Sequence, residues 1–141
     1  MSMYQHALLL LNNETDGRFL LQGVARRFYQ QGTRITLGHL TEDYRELDIG
    51  SDAFIKDRQS AEIIAAKAML SRLVKSARFP IDVKEIVTLH RIKDVGSYVA
   101  EAGIDLVIMG HKNRLFGALS SRSSEFINHL SVDVLIKHIT H

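Results

Sequence analysis

Residues 104–124 read Ile-Asp-Leu-Val-Ile-Met-Gly-His-Lys-Asn-Arg-Leu-Phe-Gly-Ala-Leu-Ser-Ser-Arg-Ser-Ser. The apolar run Leu106 to Met109 stops at Gly110. A loop with Lys112 and Arg114 follows, and a serine cluster (Ser120, Ser121, Ser123, Ser124) opens a helical pattern. Strand, glycine turn, polar loop and helix start is an order used to hold a phosphate. Free N–H groups and the positive end of the helix dipole converge at such a place.

Working outward, the same alternation of strand and helix fills the chain. Ala7 to Leu11 is a continuous apolar run, the mark of a strand covered on both faces. After the turn cluster Asn12 to Gly17, a helix is expected from Asp16 onward, with Leu20, Val24 and Phe28 on one stripe and Gly32 past its end. Ile35 to Leu40 reads as a second strand. The polar segment Thr41 to Asp52 is long for a connection inside a compact domain, a feature of functional or mobile loops. A long helix is expected over residues 53–77, with Ile63, Ala66, Leu70, Leu73 and Ala77 facing inward. Lys67, Lys75 and Arg78 share another face, read as solvated surface. Pro80 stops helix continuation.

Ile81 to Leu89 reads as a third strand, and Asp94 as the cap of a short helix closed by Gly103. Leu106 to Met109 is the fourth strand, residues 121–130 a helix, and Val132 to Ile136 the fifth strand. Five strands alternating with helices imply a single α/β domain over residues 1–141. It holds a five-stranded, mostly parallel sheet with helices on both faces. Ligands of such sheets sit beyond the carboxyl ends of the strands, where strand order reverses.

Composition narrows the function. The chain has 141 residues, 45% hydrophobic and 24% charged, enough for one stable core. It has no cysteine, so neither disulfides nor thiolate chemistry are available. Eighteen Lys and Arg against 16 Asp and Glu leave a net charge of +2, which is no nucleic-acid footprint. No apolar run approaches membrane-spanning length, and Met1 to His6 lacks the basic start of a signal peptide, so a cytoplasmic protein is expected.

Catalytic motifs are missing: no Gly-x-Ser-x-Gly, no His-Glu-x-x-His, no Walker-A loop, and no Gly-x-Gly-x-x-Gly after the first strand. No catalytic residues are assigned and no enzyme is expected. Of the seven histidines, His138 and His141 have chelating spacing but lie in a tail, so no metal site is assigned. His111, directly after Gly110, is a candidate polar contact to a ligand.

Several segments together carry a family resemblance. They are Tyr4-Gln5-His6-Ala7-Leu8-Leu9, Ile35-Thr36-Leu37-Gly38-His39-Leu40, Asp105 to His111, Ser120-Ser121, Phe126-Ile127-Asn128 and Val132 to Ile136. Across essentially the whole chain, and most specifically in its last third, the sequence resembles the bacterial universal stress proteins, UspA-like subgroup. The resemblance implies a cytoplasmic stress-induced protein without a defined enzymatic reaction, dimerising through its last strand.

Some members of that family bind ATP, through Gly-x2-Gly-x9-Gly-Ser/Thr after the fourth strand and an Asp at the end of the first. Here Gly110 matches the first glycine, Asn113 replaces the second, Ser123 the third, and Ser124 matches the Ser/Thr. Asn12 stands where the Asp belongs. Glycines there let the backbone approach phosphate closely. Asn12, Gly110, His111, Asn113, Ser123 and Ser124 therefore form a degenerate nucleotide site. No tight ATP binding is expected, and a weakened ATP-binding sensor is the alternative. The serines 120, 121, 123 and 124 suit a helix start and, by the resemblance, phosphorylation. The apolar last strand, with Val132, Val134, Leu135 and Ile136, is an association hazard if bare and an interface if paired with its own copy. No nucleic acid or membrane partner is expected.

Overall fold

The structure is a computed structural model and describes residues 3–42, 52–88, 90–111 and 126–139. Five strands make one sheet: β1 (His6–Leu11), β2 (Arg34–Glu42), β3 (Asp82–Thr88), β4 (Leu106–His111) and β5 (Asp133–His138). Their spatial order is β3-β2-β1-β4-β5 and every pairing is parallel. β1 lies in the middle with all six residues buried, which explains its unbroken apolar sequence.

One face carries α1 (Glu14–Leu20), a π-helical turn (Leu21–Ala25), α2 (Arg26–Gln30) and the long α3 (Asp52–Ser76). Ala7, Leu9 and Leu11 of β1 meet Leu20, Leu21, Leu70 and Leu73 there. On the other face Leu8 and Leu10 meet Val95 and Val99 of α4 (Arg91–Ala102) and Phe126, which lies in helical residues 126–129. The period-two alternation of each strand divides its side chains between these two layers. Each fully buried Leu or Phe contributes roughly 1.5–3 kcal/mol by leaving water.

Two helix starts differ from the sequence reading. The first helix begins before Asp16: Asn13 is its N-cap, with its side chain accepting from the Asp16 N–H. Asn13 is as strong a cap as Asp and stands one turn earlier. Asp94 is not the cap of α4, because that position is His90. Asp94 sits in the first turn instead, and its carboxylate reaches back to the His90 N–H and accepts the Thr88 hydroxyl. Gly103 does close α4, in the left-handed conformation (φ 68°) that a side chain would disfavour. β2 and β4 run further than expected, to Glu42 and His111.

Candidate functional site at the strand exits

Strand order reverses between β1 and β4, so their carboxyl ends frame the crevice where such folds place ligands. Asn12 and Gly110 leave these two strands, and the fold brings them to opposite sides of the crevice. Asn113, Ser123, Ser124 and the serines 120 and 121 lie outside the described residues.

At the β1 exit the helix start is already occupied by acids. Glu14 and Asp16 lie in the first turn of α1, and Asp16 is buried. Asp16 Oδ2 accepts from Asn13 Nδ2 at 3.0 Å. Glu14 takes Arg72 at 2.8 and 3.0 Å and Arg18 at 3.1 Å. The hydrogen bond from Arg72 leads the causes that hold its carboxyl below the usual range. Both carboxylates complement the helix dipole, and the charge of Glu14 is offset by its two guanidinium partners.

At the β4 exit the lack of a side chain on Gly110 has a packing cause. A Cβ built there would lie 2.3 Å from Ile139 Cδ1, 3.1 Å from Ile139 Cγ1 and 3.3 Å from Leu20 Cδ1. Ile139 is buried, and its N–H donates to the His111 carbonyl at 2.8 Å, continuing the β4–β5 ladder. The chain therefore uses Gly110 to admit Ile139. His111 faces the opposite side of the sheet, as the strand period requires. Its Nε2 is buried without a hydrogen-bond partner, and its ring centroid lies 6.4 Å from that of His138.

A third exit holds polar chemistry that sequence reasoning missed. His39 and Glu85 are register partners on β2 and β3. The Glu85 side chain is 8% exposed; its carboxylate accepts the Thr41 hydroxyl and lies 3.2 Å from His39 Nδ1. His39 and Thr41 line a cleft of about 390 Å³ under α3, with Glu62 and Met69 opposite. The sequence reading ended the strand at Leu40 and left Thr41 in the following loop, and the register that delivers Glu85 to both is a property of the folded sheet. Among the described residues, no group of three or more His, Cys, Asp or Glu is arranged to hold a metal ion. Nor is any helix long and apolar enough to cross a membrane.

No protein-family model matches the chain. Over 145 aligned residues it is 27% identical to the universal stress protein A homolog of Pasteurella multocida, covering 95% of this chain and 96% of that protein. Over nearly its whole length the chain is thus similar to universal stress protein A homologues. Its fold agrees: universal stress protein UspA from Lactobacillus plantarum superposes with a TM-score of 0.67 at 18% identity, over 97% of this chain and 99% of that one. The universal stress protein from Archaeoglobus fulgidus, solved in complex with dAMP, gives 0.67 at 15% identity over 95% and 98%. The chain thus shares its architecture with a protein solved with dAMP bound.

Proposed function

We propose that this UspA-like chain is a cytoplasmic stress-response protein that works as a homodimer without tight ATP binding. It acts through protein partners or through phosphorylation, and it is not an enzyme. The observation that carries this reading is the filling of the Gly110 position by Ile139 and Leu20. A glycine already used for packing offers no spare room to a phosphate or ribose at that point. Asn12, where the resemblance expects an Asp, works in the same direction. These features speak against a tightly held nucleotide, and no step is assigned to one.

The dimer would form through β5. Val134 and Ile136 lean on one core layer and Leu135 on the other, all three half-buried within their own chain, with Val132 just ahead of the strand. An edge strand this apolar is stabilised by pairing with a second copy. Sedimentation of the purified chain tests this, with a dimer expected and a strict monomer at high concentration against it.

A second reading rests on one specific observation, the dAMP complex of the Archaeoglobus fulgidus relative in fold. In that reading the altered loop still takes a nucleotide and the protein is a sensor. Calorimetric titration with ATP and Mg²⁺ separates the two readings.

A further inference from the structure

Four histidines stand on the strands of this sheet, and they are not equivalent. His6 uses both ring nitrogens, on the Ala102 carbonyl at 3.1 Å and the Thr36 hydroxyl at 2.7 Å. His39 meets the Glu85 carboxylate. His111 has neither kind of partner: its Nε2 is sealed from solvent and makes no hydrogen bond. A buried polar nitrogen left in that condition asks for an explanation.

The neighbour of His111 supplies one. In the β4–β5 ladder its register partner is His138, and register partners of a parallel pair point to the same face. The two rings are 6.4 Å apart between centroids, with planes inclined by 56°. His138 is exposed. Lys137 is in register with Gly110 and so belongs to the opposite face, and Lys112, next to His111 in sequence, lies outside the described residues. Neutral imidazole suits zinc and copper, with nitrogen–metal distances of about 2.0–2.1 Å. Two imidazoles on one tetrahedral ion have centroids about 5 Å apart. The observed spacing is wider, so the exposed His138 ring would have to turn toward His111 to share an ion with it.

We propose that His111 and His138 together bind one divalent first-row transition-metal ion, of the zinc or copper type, reached from the exposed His138 side, where water completes its coordination. No third protein donor joins them among the described residues. The expected affinity is therefore micromolar rather than that of a closed structural zinc site. A bound ion would tie β5 to β4 beside the Ile139–Gly110 contact, at the outer strand of the sheet. The site differs from the His138–His141 pairing that sequence spacing suggests, and it shares His111 with the degenerate nucleotide site.

The test is calorimetric titration of the tag-free full chain with ZnCl₂ at neutral pH, repeated on His111→Ala, His138→Ala, His90→Ala and His141→Ala. One ion per chain is expected. Either of the first two substitutions should weaken binding by at least about tenfold, while the last two leave it unchanged. Zinc should also raise the thermal midpoint of the native chain, reversibly with EDTA, and fail to raise that of His138→Ala. Circular dichroism checks each fold, and if His111→Ala does not fold, the exposed His138 decides alone. Absence of binding up to millimolar zinc would overturn the proposal. So would unchanged binding in folded His111→Ala or His138→Ala, half an ion per chain, or a loss confined to His141→Ala.

Discussion

The two ends of the sheet are built differently. At the amino ends of the strands the polar groups are tied across the sheet. The Asp105 carboxylate accepts the Gln5 and His6 N–H groups at 2.9 and 3.0 Å. Tyr4 donates to Asp133 at 2.8 Å, Thr33 to the Tyr4 carbonyl at 2.9 Å, and Arg34 to Asp82 at 2.7 Å. His6 spans Ala102 and Thr36. At the carboxyl ends Gly110 makes room for Ile139, His111 leaves a buried nitrogen without a bond, and the largely covered Glu85 carboxylate meets His39 and Thr41. One end fixes the register of five strands; the other carries the groups that have something left to bind. Parallel α/β sheets concentrate function at the second end for that reason.

Substitutions can break this contrast, and the largest effect is expected on the layer beneath both ends. Phe126 is fully buried between the sheet and α4, so Phe126→Ala should lower unfolding free energy by about 3–5 kcal/mol in urea titrations. Asp105→Ala comes next. It leaves two backbone donors without their charged acceptor, and about 2–4 kcal/mol should be lost. A matching loss at the exit end is expected to be smaller. Gly110→Ala pushes on Ile139 Cδ1, the far end of a flexible side chain, and should cost about 1–3 kcal/mol. Repeating it in an Ile139→Val background, which removes that atom, should shrink the cost, and an additive double-mutant cycle would show that Ile139 is not the obstacle.

The smallest effect concerns pH. Arg72 and Arg18 hold the Glu14 carboxyl below its ordinary value of 4.5. The depressed value means that its contribution is present above pH 4.5 and is lost as pH falls through the lower, folded-state value. Native chain and Glu14→Gln should therefore converge in stability on acidification. The pair is exposed, so the difference should also fade with added salt.

Much of the fold was legible in the sequence because period and punctuation agree. The unbroken Leu8 to Leu11 run announces a central strand, Gly103 a helix end, and Ala66, Leu70 and Leu73 a buried helix stripe. The π-helical turn at Leu21–Ala25 left no such mark, because an extra residue in a helical turn barely changes an apolar stripe. Asp94 was misread because an acid suits both the cap and the first turn. At the candidate site, the glycine pattern pointed to Gly110 but not to what fills its side. Ile139 is distant in sequence and arrives only through the β4–β5 register. The His39–Glu85 and His111–His138 pairs were hidden in the same way, since cross-strand register is a property of the assembled sheet.

The central claim is that the crevice between β1 and β4 is packed by the chain's own residues instead of being shaped for a nucleotide. Isothermal titration of the purified chain with ATP and Mg²⁺ tests it most directly. No saturable binding is expected up to millimolar ATP. A micromolar dissociation constant would contradict the account, and would do so most plainly if Ile139→Ala left that constant unchanged.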